Sequence, residues 1–90
     1  MSEKYVVELS AQAKKSLKQI DKYHAKLITN WLYVNIDQCT NPRKHGKPLT
    51  ENLKGYWRYR IGNYRIVCEI RDRELIVVAV NIGHRRDVYQ

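Results

Sequence analysis

The sequence predicts an α+β domain of order β-α-α-β-β-β, with a helical hairpin packed on one face of an antiparallel sheet. Three observations predict it. Ala13, Leu17 and Ile20, and then Ala25, Ile28, Trp31, Leu32 and Ile36, recur at helical spacing in two successive runs. Residues 56–82 are rich in β-branched and aromatic side chains and are punctuated by turn residues. Ninety residues suffice for one modest core, so helices and strands must share it, and residues 1–90 read as a single domain.

The elements follow in order. Residues 4–9 (Lys-Tyr-Val-Val-Glu-Leu) read as a first strand. Ser10 is placed to cap a first helix, and Asp21 to cap a second over 22–39 that Asn41-Pro42 stops. Residues 42–55 hold two prolines, two glycines and four cations, and read as a mobile basic loop whose second half is pinned by Leu49 and Leu53. Three strands follow at 56–61, 64–71 and 74–82. Gly62-Asn63 makes a good two-residue hairpin turn, because both positions tolerate φ > 0. Asp72-Arg73 is a weaker turn, and Gly83 ends the last strand.

Charge narrows the function. The chain carries 17 Lys+Arg against 9 Asp+Glu, for a net charge of +8. The basic residues of the first 42 positions are all lysine (Lys4, Lys14, Lys15, Lys18, Lys22, Lys26), whereas those after position 42 are mostly arginine. Arginine presents a planar fork that matches phosphate. A polyanionic partner is therefore favoured, with an acidic protein as the competing possibility. No run of 18 apolar residues predicts a membrane span, and no apolar signal core follows Met1. Cys39 and Cys68 form no CxxC and read as reduced thiols, which suits the cytoplasm.

Strand parity gathers the arginines. Trp57, Tyr59, Ile61, Tyr64, Ile66, Cys68, Ile70, Leu75, Val77 and Ala79 fall on one face, suited to the helices; Arg58, Arg60, Arg65, Val67, Glu69, Val78 and Val80 fall on the other. A Gly62-Asn63 turn pairs Arg60 with Arg65 and sets Arg58 opposite Val67. Like charges facing each other across a sheet cost up to about 1 kcal/mol. Such a violation points to a site that needs concentrated positive charge. The tail leaves the sheet at the same end, so Arg85, His84 and Tyr89 are expected beside Arg60 and Arg65. His84 is suited to proton transfer near neutral pH, and Tyr89 to stacking on a base or ribose. Lys44, Lys47, Lys54 and Arg86 are further candidates for RNA contact.

Other chemistries fit poorly. The carboxylates are scattered, no His/Cys spacing suits zinc, and there is neither a P-loop, a dinucleotide fingerprint nor a serine-nucleophile motif. A ribonuclease that uses no metal or other cofactor needs only cations, a proton carrier and the substrate's 2′-OH.

The order of elements, with Trp57-Arg58-Tyr59-Arg60-Ile61-Gly62-Asn63-Tyr64-Arg65-Ile66 and Val80-Asn81-Ile82-Gly83-His84-Arg85-Arg86-Asp87-Val88-Tyr89, resembles the RelE/ParE toxin superfamily over nearly the whole chain. RelE-type members are ribosome-dependent mRNA endonucleases that cut in the A site by 2′-OH attack and are neutralised by a cognate antitoxin. The resemblance implies that Arg65 and Arg85 are phosphate-binding and transition-state arginines and that Tyr89 orients the nucleotide. It also implies an antitoxin, the ribosome and mRNA as partners, with promoter DNA reached only through the antitoxin complex. Arg58 and Arg60 stand where the RelE prototype has lysines. Arginine stays protonated and so binds and stabilises charge rather than acting as a base. The base is then open between His84, Tyr89 and a ribosomal or substrate group, with His84 the residue assigned. With the sequence ending at Gln90, no long C-terminal helix is expected for an antitoxin to displace. Three functional readings follow: an mRNA interferase, a ParE-type toxin that inhibits DNA gyrase without nuclease activity, and an RNA-binding module without catalysis. The retained Arg65, Arg85 and Tyr89 favour the first.

Overall fold

The computed structural model describes residues 3–84. Its elements are β1 (Val6–Leu9), α1 (Ala11–Gln19), α2 (Lys22–Asn35), β2 (Lys47–Pro48), β3 (Trp57–Ile61), β4 (Tyr64–Arg71) and β5 (Ile76–His84), with single 3₁₀ turns at Pro42–Lys44 and Glu51–Leu53. The caps form as the sequence predicts. The Ser10 hydroxyl accepts from the Ala13 amide at 3.0 Å and donates to the Val80 carbonyl at 2.9 Å, tying the start of α1 to the sheet. Asp21 accepts from the His24 amide at 3.1 Å. Among the described residues no helix is long and apolar enough to cross a membrane.

Helix α2 stops at Asn35 rather than at 39. Gln38 takes a left-handed backbone (φ 66°), and its amide donates to the Tyr5 carbonyl at 2.7 Å. Tyr5 in turn donates its amide to the Cys39 carbonyl, and the Asp37 carboxylate accepts from the Val7 amide at 2.9 Å. Residues 37–39 therefore occupy the outer edge of β1, which would otherwise offer unpaired backbone groups. Tertiary hydrogen bonds take the groups that a longer helix would have used.

The sheet has five strands in the order β1-β5-β4-β3-β2. Its pairs from β5 to β3 are antiparallel, as the sequence predicts, and so is that of β3 with β2; it is mixed because β1 runs parallel to β5, with Val7 opposite Val77 and Leu9 opposite Ala79. The helices and the segment after them return the chain so that β1 and β5 point the same way. The Ile-Val-Val-Ala-Val run of β5, apolar on both faces, then becomes a central strand instead of an exposed edge.

Both faces of the sheet are partly covered. On one, Ile28, Leu32 and Ile36 of α2 and its C-cap join Ala13 of α1 in a core with Tyr59, Ile61, Ile66, Cys68, Val77, Ala79 and Ile82. On the other, Leu49 packs on Val67, with Leu53, Tyr56 and Val80 around them. The segment 42–55, expected to be mobile, is pinned at several points. The Tyr59 hydroxyl donates to the Pro42 carbonyl at 2.6 Å, Trp57 Nε1 donates to the His45 carbonyl at 2.7 Å, and the Leu49 amide donates to the Tyr56 carbonyl at 3.0 Å. Arg43 closes on both oxygens of Asp72 at 2.9 Å each. Two aromatic side chains with polar tips thus hold a segment whose composition alone reads as loose. Both cysteines are free thiols, Cys68 buried and Cys39 half-buried.

One irregularity decides which face the end of β5 presents. The register between β4 and β5 shifts at Val67/Cys68: Val67 faces Asn81 but Cys68 faces Ala79, so Val80 is passed over in the ladder. This β-bulge reverses the parity of β5 beyond it. Ile82 turns into the helix-side core, and His84, opposite Tyr64, follows onto the same face.

Candidate nucleic-acid interface

The site starts from the β3–β4 turn. Gly62 takes φ 59°, and the two-residue turn pairs Ile61 with Tyr64, Arg60 with Arg65 and Arg58 with Val67. This is the register the sequence predicts. Arg60 is exposed, while Arg58 and Arg65 are half-buried. Between the facing arginines a small cleft of about 120 Å³ is lined by Arg60, Gly62, Asn63 and Arg65.

The short strand β2 adds to the array. Lys47 faces Arg58 and Pro48 faces Trp57. A second like-charged pair therefore lies next to the first, on the same face and two residues along β3. Gly46 makes the approach possible. It sits at φ 80°, and a Cβ there would collide with the Arg58 carbonyl and come within 2.7 Å of Trp57 Nε1. The Arg58 Nε is buried and has no hydrogen-bond partner among the described residues. Glu69, on the same face of β4, pairs with Arg71 at 2.6 Å. Two ladder positions thus set like charges opposite each other, a pattern that an anionic ligand would relieve.

The other predicted site residues divide. Lys47 joins the array. Lys44, in the first 3₁₀ turn, and Lys54, in the turn after Leu53, are exposed but lie on no ladder position with the arginines. His84 is corrected. It pairs with Tyr64 on the helix side of the sheet, its ring 5.7 Å from the Tyr64 ring, and borders a polar cleft with Ser16, Gln19, Asp21 and Asn81. His24, whose Nδ1 lies within hydrogen-bonding distance of Asp21 at 2.8 Å, lies 5.3 Å from the same tyrosine ring. His84 therefore stands across the sheet from Arg60 and Arg65, because the bulge at Val67/Cys68 changed which face it occupies. Arg85, Arg86 and Tyr89 lie outside the described residues.

The sequence reading missed β2 and with it the Lys47–Arg58 pairing. A two-residue strand containing proline has no alternation to read, although proline is compatible with an edge strand. The one available signal was Gly46 beside Lys47, a glycine where two backbones approach closely.

A family model described as the ParE toxin of a type II toxin–antitoxin system matches residues 7–89. The chain belongs to the RelE/ParE toxin superfamily. This RelE/ParE toxin is 27% identical over 86 residues to toxin RelG of Mycobacterium tuberculosis, covering 96% of this chain and 97% of that one. It is 29% identical over 86 residues to toxin RelE of the same organism, covering 96% and 87%. Among solved structures it resembles the M. tuberculosis RelBE2 toxin–antitoxin complex, with a TM-score of 0.82 and 26% identity over 93% of this chain and 94% of that one. A free-state mutant of Escherichia coli toxin RelE shares the fold at 15% identity, with a TM-score of 0.74 over 96% of this chain and 88% of that one. The superfamily's sheet and helical pair are thus the scaffold on which this toxin carries its two basic pairs.

Proposed function

We propose that this toxin is a ribosome-dependent mRNA endoribonuclease that uses no metal. The substrate's own 2′-OH attacks the adjacent phosphorus, the bond to the 5′-oxygen breaks, and the products are a 2′,3′-cyclic phosphate and a 5′-hydroxyl. One observation carries the reading: Arg60 and Arg65 face each other over a small cleft on the sheet face away from the helices. Two forks converging there are suited to a phosphodiester and to the negative charge that develops on its non-bridging oxygens. Arg85 and Tyr89 match the family's pattern in sequence and complete the proposed set. Across the sheet from the cleft, His84 takes no part in proton transfer, which falls to Tyr89 or to a ribosomal or substrate group. Arg58 and Lys47 bind RNA, and Lys44, Lys54 and Arg86 supply general attraction for it.

The proposal extends to partners. The RelBE2 relative is a toxin–antitoxin complex, and we assign this chain a cognate antitoxin in the cytoplasm whose acidic or amphipathic segment covers the arginine face. A second reading has specific support, since the matching family model is that of a ParE toxin: a non-nuclease that inhibits DNA gyrase. Induction in growing bacteria, with RNA ends mapped and gyrase–DNA complexes assayed in parallel, separates the two. Cleavage within translated messages, leaving 5′-hydroxyl ends, is expected, and Arg65→Ala should lower the cleavage rate on the order of 10²–10³-fold without loss of folding. Intact messages with trapped gyrase–DNA complexes would overturn the proposal in favour of the second reading.

A further inference from the structure

The two basic pairs are staggered, and the stagger has a length. Arg58 and Arg60 are two residues apart on one face of β3, about 6.6 Å along the strand. The Arg60–Arg65 pair lies between β3 and β4, whereas the Lys47–Arg58 pair lies between β3 and β2. Their centres are therefore offset by about one strand spacing, roughly 4.8 Å, across the sheet. Long side chains readily close this diagonal to the separation of successive phosphates in an extended single strand. A lone anion between Arg60 and Arg65 would not explain the second pair.

The second pair is also held in place. Gly46 admits the close approach that sets Lys47 opposite Arg58. The anchors from Trp57 to His45 and from Tyr59 to Pro42 fix the backbone leading into it. Arg58 has its Nε buried beside the sheet, which limits the directions its guanidinium can take. Leu49 and Val67 supply an apolar floor beneath. Lysine on a mobile loop would bind any polyanion weakly, whereas lysine held on a ladder opposite arginine defines a point in space.

We infer that Lys47 and Arg58 form a second phosphate subsite, which holds the phosphate next to the scissile one while Arg60 and Arg65 hold the scissile phosphate itself. Single-stranded RNA then crosses β3 obliquely, from the Gly62–Asn63 turn toward β2. This rests on the endoribonuclease reading, and it adds a register: one nucleotide step per basic pair. The subsite positions the strand and does not touch the reacting atoms.

The test uses ribosomes programmed with a synthetic mRNA whose A-site codon is cut by the wild-type toxin. In two further messages the phosphate just 5′ or just 3′ of the scissile one is replaced by an uncharged methylphosphonate. Neutralising one of the two neighbours is expected to slow single-turnover cleavage about tenfold, and Lys47→Ala to slow the native message by a similar factor. On the neutralised message, wild type and Lys47→Ala should agree within about twofold, because the partner charge is already gone. Arg58→Gln should behave like Lys47→Ala, with circular dichroism checking its fold. Lys26→Ala, an exposed lysine on α2, should match wild type on every message. Equal slowing of native and both neutralised messages by Lys47→Ala, or no slowing at all, overturns the subsite while leaving the nuclease intact. Absence of cleavage by the wild type overturns the nuclease reading and the subsite with it.

Discussion

Arg60 and Arg65 show how much one turn decides. Gly62-Asn63 admits a two-residue hairpin, and that register alone sets the two arginines face to face. Their pairing was legible in the sequence because turn chemistry and period-two alternation are both local. The position of His84 was not legible. Counting alternately from Val77 along β5 puts it on the arginine face, but Val80 is bulged and the count slips by one. Nothing in the run Val78-Ala79-Val80 marks a bulge, since no glycine or proline interrupts it. The consequence is measurable: His84→Gln should leave the shape of the pH–rate profile for mRNA cleavage unchanged. A profile that changes shape in the variant would return His84 to the site.

At the scale of elements, the segment between α2 and β3 is the main departure from the sequence reading. Its prolines, glycines and cations read as loose, and Leu49 and Leu53 were its only expected anchors. Leu49 does pack on Val67, with Leu53 beside it, but the larger constraint comes from Trp57 and Tyr59, whose polar tips reach back to His45 and Pro42. Such long-range bonds have no sequence spacing to betray them. Gly46 is the hinge of this arrangement. Gly46→Ala should destabilise the protein by about 2 kcal/mol or more, from left-handed strain combined with the collision against the Arg58 carbonyl. Urea unfolding measures this directly, and an unchanged midpoint would show that β2 can draw back from β3 at little cost.

For the molecule as a whole, the segment is also clamped to the far end of the sheet. Asp72, in the turn between β4 and β5, accepts both arms of Arg43 and the Tyr5 hydroxyl at 2.7 Å. The Arg43 fork first, and then Tyr5, hold its carboxyl below the ordinary value of 3.8. A carboxyl lowered by folding stabilises the fold above its unfolded value, and that stabilisation disappears as pH falls through the lower folded value. The pair is about half exposed, with side-chain accessibilities of 43% and 54%, so its contribution is at most about 1 kcal/mol. Asp72→Asn should therefore unfold at lower urea than wild type at pH ~7, and the gap should close well below pH 3.8. A gap that persists undiminished in acid would mean that Asp72 acts through packing and not through charge.

The helical hairpin, its caps, the β3–β4 register and the face shared by Arg58, Arg60 and Arg65 were determined by the sequence itself, because each depends on neighbours a few residues apart. Tertiary structure alone decided the parallel seating of β1 against β5, the early end of α2, the Lys47–Arg58 pair and the face on which His84 lies. Each of these depends on which distant backbone groups meet. The buried surfaces and hydrogen bonds that select among such meetings exist only once the whole sheet has formed.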